Sequence, residues 1–433
     1  MIKQELNVPS VPHLLHIETT YACNQQCLFC YNPKRNSKIN SPTIDNIVQR
    51  VYEDWVPHVY LIGGEPSLLG VKKLNQYINL LSERSSVTIV TNGQIHLEGL
   101  SNKLACIGIP IHGLEKTHDR LTNKQGSFNQ AMYSISEYVK QGFDVRCIPV
   151  LTCLNFDQMY DIIGLAKNKG MESVFVDRYE DGGLGSNKSE QLKPSFDQFR
   201  IALGQMINGR DNFHIPVGWG TAIPFCLDDR MIKENMTADC GAGITFAAIN
   251  PNGEIRTCNQ SERIYGNILT ETMEKIWHKP ELSEFRSLSW IEKPCTDCKA
   301  LVDCLCGCKV DANSAQTYSV DYAIRGKETF AILEDRHNYL SKTKQAEAFS
   351  KLRFFHLSPY ARINIAHKES YLITRYQTIE IDNLCLRMLN QIFSGINSEK
   401  CLIDLNADQI DIEETRRIVS LLLQVGAINI MEN

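Results

Sequence analysis

Three cysteines near the amino terminus constrain this chain more than any other feature of its sequence. Cys23, Cys27 and Cys30 have a C-x3-C-x2-C spacing. Three thiolates this close together can bind three irons of a cubane [4Fe–4S] cluster, and no fourth cysteine lies nearby to bind the fourth iron. A structural zinc site is the alternative. It is disfavoured because only three ligands are present at this spacing and Phe29 stands beside the last of them. The motif therefore predicts an iron–sulfur cluster with one open iron.

Composition narrows the class of protein and its compartment. The net charge of −5 over 433 residues gives no general reason to expect binding to nucleic acid or to an anionic membrane. Neither a signal peptide nor a membrane-spanning segment is recognisable, which predicts a cytoplasmic protein. Disulfides are rare in that compartment, so the 16 cysteines indicate metal ligation.

The first 180 residues alternate between short apolar runs and longer helical patterns. Six runs are predicted strands: Leu14–Glu18, Val59–Ile62, Val87–Thr91, Cys106–Ile111, Val145–Leu151 and Ser173–Asp177. Between them, four segments have helical periodicity: Thr43–Asp54, Val71–Glu83, Phe128–Gln141 and Phe156–Lys169. Repeated βα units of this kind predict an α/β fold with a parallel sheet, either open or closed into a partial barrel.

Two further motifs follow predicted strands. Gly63-Gly64-Glu65-Pro66 comes directly after the second strand, and Thr91-Asn92-Gly93 ends the third. In a βα barrel the loops after the strands form the site at one mouth, so both motifs should lie there. Taken alone, the first could be an ordinary glycine turn and the second a type I′ turn.

Together, the cysteine motif and the glycine-rich motif resemble the radical S-adenosylmethionine (SAM) superfamily. The resemblance implies a partial (β/α)6 barrel in which Cys23, Cys27 and Cys30 hold a [4Fe–4S] cluster whose open iron chelates SAM. It also implies that Gly63, Gly64, Glu65 and Pro66 receive the methionine ammonium of SAM, with Thr91 and Asn92 also at the cofactor site. The implied chemistry is one-electron cleavage of SAM to a 5′-deoxyadenosyl radical that abstracts hydrogen from a substrate.

A second cysteine field contains eight of the 16 cysteines, between Cys226 and Cys308. It resembles the SPASM domain, the cysteine-rich extension of peptide- and protein-modifying radical SAM enzymes that carries auxiliary iron–sulfur clusters. The resemblance implies that one cluster is held by Cys240, Cys258 and Cys308, with Cys226 as its candidate fourth ligand. A second cluster would be held by Cys295, Cys298 and Cys304.

The second auxiliary cluster departs from the family pattern, because the usual downstream cysteine is missing. Cys306 or Asp321 could replace it, or the cluster could keep an open iron or be absent. Zinc knuckles remain the alternative for the Cys295/Cys298 pair.

The tail from about residue 350 contains three predicted strands, two amphipathic helices and a final short strand. A DNA-binding winged helix would need a basic recognition helix, and this tail is acidic instead. The segment from Thr378 to Gly395 resembles the recognition element of enzymes that modify ribosomally made peptides (RiPPs), a small winged-helix-like α+β domain. There a precursor's leader pairs with an exposed strand. A structural cap or dimerisation module is the alternative.

These features predict four regions. They are the radical SAM partial barrel (1–205), a bridging region (206–238), the SPASM domain (239–345) and the peptide-binding domain (350–433). The predicted function is cross-linking (C–C, C–O or thioether) of a ribosomally made precursor peptide, with flavodoxin or ferredoxin as reductant. His112, Asp177 and Arg178, at strand ends, are candidate catalytic groups. The alternatives are formylglycine formation on a protein, as in sulfatase maturation, and a non-enzymatic iron–sulfur scaffold or electron carrier.

Overall fold

The structure, a computed structural model, describes residues 8–314, 320–327, 355–358, 361–366, 369–374, 377–407 and 410–430. The predicted boundary between the cysteine-rich domain and the tail, at residues 345–350, lies outside these described residues. One hydrophobic core is centred on the barrel and a second lies within the tail.

Six parallel strands pair in chain order and form the partial barrel that the sequence predicts. Their bounds are Leu14–Glu18, His58–Ile62, Ser86–Val90, Cys106–Ile109, Val145–Cys147 and Ser173–Arg178. The fifth predicted strand is split, because Val150–Leu151 forms a separate short strand that pairs with the sixth. Pro149 lies in the gap, where a residue without a backbone N–H cannot continue the ladder.

Helices cover the outside of these strands and follow the predicted pattern. In the first half of the chain they span Ser41–Asp54, Val71–Leu81, Glu115–Thr122, Ser127–Lys140, Met159–Asn168, Ser189–Leu192 and Phe196–Phe213. The first helix shows why these segments form helices against the sheet. Asn40 caps its amino end, and its buried face consists of Ile44, Ile47, Val48 and Val51. Helix Glu115–Thr122 was not predicted from the sequence.

The cysteine-rich region extends the barrel sheet. Its strand Phe246–Ile249 pairs in parallel with the free side of Leu14–Glu18 and continues antiparallel into Glu254–Arg256 and Gly266–Asn267. Strand Val217–Trp219 pairs with the opposite end of the sheet. Short helices complete the region: Arg230–Lys233, Met273–Trp277, Pro280–Arg286, Leu301–Cys304 and Lys309–Ser314. The second cysteine field is therefore built onto the edge of the barrel.

The tail forms a three-stranded antiparallel sheet followed by three helices. The strands are Arg362–Ala366, Glu369–Ile373 and Thr378–Glu380, with Glu369–Ile373 in the centre. The helices are Asn383–Phe393, Glu399–Asn406 and Ile412–Gln424, of which the second was not predicted. Strand Ile428–Ile430 pairs with Phe355–Leu357 in a separate ribbon.

The tail sheet packs against the amino-terminal end of the barrel strands. The Tyr371 ring lies 5.3 Å from that of Trp55, and Arg362 Nη1 donates to the carbonyls of Ser82 and Ser85 at 2.8 and 3.0 Å. Ile373 is fully buried in the barrel core. Ile373 therefore does not lie on an exposed edge, because its strand is the central one and its side chain is covered by the barrel.

Among the described residues, no helix combines the length and the apolar character needed to cross a bilayer.

Candidate functional site

The cysteine loop and the glycine-rich motif are hydrogen-bonded to each other at the carboxyl end of the barrel strands. Gly64 N donates to Thr20 O at 2.5 Å, and Glu65 N donates to Ala22 O at 2.8 Å. A Cβ atom at Gly64 would lie 2.1 Å from the Ala22 carbonyl oxygen, and one at Gly63 would lie 2.4 Å from that of Thr20. Only glycine permits this approach, so the two motifs form one structural unit.

The buried carboxylate of Glu65 accepts hydrogen bonds from three groups of the same chain. Oε1 accepts from Thr91 Oγ1 at 2.6 Å and from Ser67 N at 2.9 Å, and Oε2 accepts from Asn92 N at 2.8 Å. Burial raises the pKa of the Glu65 carboxyl, and these donors oppose the shift. The side chain therefore ties the end of the second strand to the end of the third. Its contact with the SAM ammonium stays a prediction.

Side chains within the cysteine motif fix the loop from two sides. Asn24 Oδ1 accepts from Asn92 Nδ2 at 2.7 Å, and Gln25 Nε2 donates to Ser127 Oγ at 2.6 Å. His118 Nε2 also bonds Ser127 Oγ, at 3.2 Å. The residues between Cys23 and Cys27 are thus held by the third strand's end and by helix Ser127–Lys140.

The three cysteines fit a cubane cluster by donor type and surroundings. An open cavity of about 710 Å³ adjoins Cys23 and is lined by residues 23–26, residues 33–37 and Leu184. Burial is the largest cause that raises the pKa of the Cys23 thiol, to about 11, so cluster binding must displace its proton. In the described part of the chain, no three His, Cys, Asp or Glu side chains converge on a single metal ion. A cubane does not need such convergence, because each cysteine binds a different iron.

Two of the three candidate catalytic residues flank the short strand Val150–Leu151. Val150 N donates to His112 Nδ1 at 3.1 Å, and Asp177 is the strand partner of Val150 on the other side. Burial and the charge of His118 hold the pKa of His112 well below its usual range, so its ring is neutral. Burial raises the pKa of Asp177 to about 7, against the opposing effect of Arg146. A proton on Asp177 can therefore be held or released near neutral pH.

Arg178, the third candidate, is buried in an ion-pair network. Its Nε lies 2.5 Å from Glu180 Oε1, and its Nη1 lies 2.8 Å from Asp321 Oδ1. Both oxygens of Asp321 accept bonds, since Oδ1 also accepts from Ala323 N at 2.9 Å and Oδ2 accepts from Cys308 N at 2.7 Å. This arrangement favours a structural role for both residues, joining the sixth barrel strand to the cysteine-rich region.

A row of polar side chains inside the barrel was not singled out from the sequence. Glu18 accepts from Arg256 Nη2 at 2.5 Å and from Asn259 Nδ2 at 2.7 Å. His16 Nδ1 lies 2.7 Å from Asn259 Oδ1, and its ring stacks on Tyr60 at 5.1 Å. His16 and Glu18 are spaced two apart in an apolar strand, and this period-two signal could have revealed them.

Arg146 continues the polar row across the barrel. Its Nη1 donates to Tyr60 Oη at 3.1 Å, and its guanidinium lies 4.5 Å from the Phe175 ring centroid. Phe175 and Asp177 are two residues apart on the same strand, so their side chains lie on the same face of the sheet. The row therefore runs from the residues around Cys258 towards the candidate base Asp177.

Cys240, Cys258 and Cys308 lie together, as the sequence predicts. They share an apolar cluster with Phe285 and Leu305. The Cys308 thiol, as donor, lowers the pKa of Cys240. Cys308 Sγ also lies 3.5 Å from Glu180 Oε2. We refer to these three cysteines as the first auxiliary set.

Cys226 lies with the other group of cysteines and not with the first auxiliary set. It packs beside Cys298 and Cys304, and the neighbouring Phe225 N donates to Cys304 Sγ at 3.4 Å. Burial raises the pKa of Cys295 to about 12, with further contributions from Cys226 and Cys298. We refer to Cys226, Cys295, Cys298 and Cys304 as the second auxiliary set.

Cys306 lies between the two sets. It packs with Cys295, and both Cys295 and Cys240 raise its pKa in addition to the larger effect of burial. Its backbone φ is +62°, and those of Leu305 and Gly307 are +54° and +77°. Left-handed conformations at Leu305 and Cys306 are uncommon for residues with a side chain and tend to mark functional sites.

Comparisons with known proteins agree with this geometry. Residues 17–167 match the radical SAM superfamily, and residues 240–299 match the SPASM iron–sulfur cluster-binding domain. The chain therefore contains a radical SAM domain followed by a SPASM domain. These two domains imply a [4Fe–4S] cluster, SAM and auxiliary iron–sulfur clusters.

Individual relatives are distant but cover most of this radical SAM enzyme. Mycofactocin maturase MftC of Mycolicibacterium smegmatis is 26% identical over 69% of this chain and 78% of its own. PqqA peptide cyclase of Methylobacterium nodulans is 22% identical over 68% of this chain and 80% of its own. The crystal structure of Streptococcus suis SuiB bound to precursor peptide SuiA has a TM-score of 0.60 at 18% identity, covering 74% of this chain and 77% of SuiB. The last comparison establishes a shared fold.

Proposed function

We propose that this radical SAM enzyme modifies a ribosomally made precursor peptide and closes a C–C, C–O or thioether cross-link within it. The observation that carries the proposal is the junction of the two cysteine fields at one barrel mouth. Glu18 ends the first strand, five residues before Cys23, and bonds Arg256 and Asn259, which flank Cys258. A substrate in this mouth lies between the SAM-type loop and the first auxiliary set.

Cys23, Cys27 and Cys30 would hold the SAM-binding cluster, and Gly63 and Gly64, which hold the cysteine loop against the end of the second strand, would lie beside SAM. Pro66, Thr91 and Asn92 would shape the same wall, and Glu65 would hold the two strand ends in place. When bound, these groups supply reductive cleavage of SAM to a hydrogen-abstracting 5′-deoxyadenosyl radical, with auxiliary clusters as acceptors of the electron left on the substrate. We infer a flavodoxin or ferredoxin as the external reductant.

Asp177 is the best-placed proton acceptor for the cross-linking step. Closing such a bond removes two hydrogens from the peptide. One leaves as a hydrogen atom, and the other leaves as a proton whose electron passes to an auxiliary cluster. A carboxyl whose pKa is near 7 can accept that proton at neutral pH. His112 is neutral and accepts from Val150 N, which supports a role in shaping the site.

We assign Cys226 to the second auxiliary cluster, where it replaces the missing downstream cysteine. Its position in the same apolar cluster as Cys298 and Cys304 supports this assignment, and Asp321 is bonded to Arg178, Ala323 and Cys308. Cys240, Cys258 and Cys308 would then hold the first auxiliary cluster.

Changing Cys226 to Ala should therefore lower the auxiliary iron content by up to about four irons per chain, because it removes one of the four thiolates that would hold the second cluster. Cys306→Ala is the matched control, since Cys306 lies in the same region and should keep its iron. Iron analysis and cluster absorbance measure both variants. Iron loss in Cys306→Ala with none in Cys226→Ala would reverse the assignment.

The tail would bind the precursor's leader by strand pairing. Within the described part of the tail, strands Arg362–Ala366 and Thr378–Glu380 each pair on one side only, which is the geometry that β-augmentation uses. Because the tail sits at the amino end of the strands, the leader and the modified residues bind at opposite ends of the barrel. A five-residue strand is about 17 Å long, so the precursor needs a spacer of at least that reach.

The test of this function is incubation of the full chain with SAM, a reductant and a short peptide encoded beside its gene. We expect 5′-deoxyadenosine whose yield rises with the peptide, and a peptide that has lost two hydrogens without gaining an aldehyde. The precursor with its leader should bind more tightly than the leaderless core. Equal affinity of both peptides would contradict leader recognition.

The same assay separates the two alternatives. A new aldehyde on Cys or Ser, detected with a hydrazide reagent, would indicate formylglycine formation. If no 5′-deoxyadenosine forms under any condition while all clusters are loaded, the result would indicate an iron–sulfur scaffold or electron carrier.

A further inference from the structure

Lys309 is a fully buried cation beside the first auxiliary set. It directly follows Cys308, and its backbone N–H bonds the Cys240 sulfur. Its side chain has 0% exposure, and its Nζ has no hydrogen-bond partner among the described residues. The ammonium lies over the Phe285 ring at 5.2 Å from the centroid.

A buried ammonium without a partner is unfavourable unless a negative charge lies nearby. Within the described residues, no carboxylate oxygen forms an ion pair with Lys309 Nζ. The groups that act on it electrostatically are Cys240, Cys306, Asp239 and, with opposing sign, Arg286. Two of these are cysteines, so the ammonium faces the sulfur side of the site.

The other cations near the first auxiliary set are already engaged. Arg178 lies between Glu180 and Asp321 and is ion-paired with both. Arg286 donates Nη1 to Trp277 O at 2.8 Å and Nε to Gly243 O. Of these three cations, Lys309 is the one whose charged group forms no hydrogen bond among the described residues, and it lies against Phe285 of the apolar cluster that contains Cys240.

We propose that Lys309 is the buried counter-charge of the first auxiliary cluster and that it raises the reduction potential of that cluster. The proposal rests on the proposed cluster assignment. A thiolate-bound cubane is an anion that gains one further negative charge when it accepts one electron. A fixed cation in a low-dielectric pocket stabilises the reduced form more than the oxidised form. Lys309 thus makes this cluster the better electron acceptor during cross-linking.

The test measures the auxiliary potentials directly and does not need substrate turnover. The background is the full chain with Cys23, Cys27 and Cys30 changed to Ala, so that only auxiliary clusters contribute. In it, Lys309→Met removes the charge at similar length, and Lys309→Arg keeps it. Lys275→Met is the matched control, because the Lys275 side chain is 71% exposed in the same region. Each variant is titrated with dithionite and followed by electron paramagnetic resonance.

We expect Lys309→Met to lower the equilibrium constant for reduction of one auxiliary cluster at least tenfold, which is about 59 mV for one electron. Lys309→Arg should stay within about threefold of the parent, and Lys275→Met should not differ from it. Iron lost in Lys309→Met and retained in Lys309→Arg would also support the proposal, since the charge would then be needed to hold the cluster.

Two results would overturn the inference. One is an unchanged potential in Lys309→Met with full iron. The other is equal iron loss in Lys309→Met and Lys309→Arg, which would indicate a packing role alone. A parent protein without auxiliary iron would instead overturn the proposed function, and this inference with it, so iron analysis distinguishes the two failures.

Discussion

Replacing Cys23, Cys27 and Cys30 together by alanine should remove about four irons per chain and abolish 5′-deoxyadenosine formation. The reason is local: all three thiolates come from one loop that is bonded to the Gly63-Gly64 turn, and no other described cysteine lies in that loop. Iron in the auxiliary sets should remain, because Cys240 to Cys308 belong to a separate segment whose strand Phe246–Ile249 pairs with Leu14–Glu18 and not with the loop of Cys23 to Cys30. Iron analysis and chromatography of SAM cleavage products measure the two effects.

Cys153→Ala is the control for this experiment. The Cys153 thiol donates to Gln191 O at 3.0 Å, away from all three cysteine groups. It should keep the parent's iron and SAM cleavage. Intact SAM cleavage in the triple variant would contradict the assignment of the first cluster.

Changing Ile373 to Lys should lower the free energy of unfolding by about 4 kcal/mol or more, because it places an unpaired charge in a core. Ile373 has 0% exposure and packs in the barrel core, on the face of the tail sheet that carries Tyr371. Thermal unfolding followed by tryptophan fluorescence should show a large drop in midpoint, since Trp55 contacts Tyr371.

Ile365→Lys is the matched control on the same sheet. Ile365 is 67% exposed on the outer strand Arg362–Ala366. Its substitution should change the free energy of unfolding by no more than about 0.5 kcal/mol. Equal midpoints for the two variants would contradict the docking of the tail sheet on the barrel. The same contact means that deleting the tail would uncover Trp55, so precursor binding is better tested with leader variants than by truncation.

Much of the barrel could be predicted from the sequence, because its signals are short-range. Alternating apolar runs gave the six strands, and the cysteine and Gly63-Gly64 motifs each belong to a single loop. The split at Pro149 also has a local cause. In the tail, helix Ile412–Gln424 has a strong apolar period and was predicted at its observed bounds.

The roles of several predicted site residues depended on partners far away in the chain. Arg178 pairs with Asp321, 143 residues later, and this pair favours a structural role for both residues. The carboxylate of Glu65 bonds Thr91 and Asn92, which come 26 and 27 residues later, while its contact with SAM stays a prediction. Neither outcome follows from residue type or spacing, because both depend on which loops meet.

The sequence by itself indicated the chemistry of this protein through the cysteines of the first motif, the glycines of the second motif and the cysteines of the second field. Those properties are carried by residue identity within short segments, where spacing fixes geometry. Only the tertiary structure decided that Cys226 joins Cys298 and Cys304, that Lys309 is sealed beside Cys240, and that Ile373 faces the barrel. A strand or loop can bury either face, and the choice is made by the surface that packs against it.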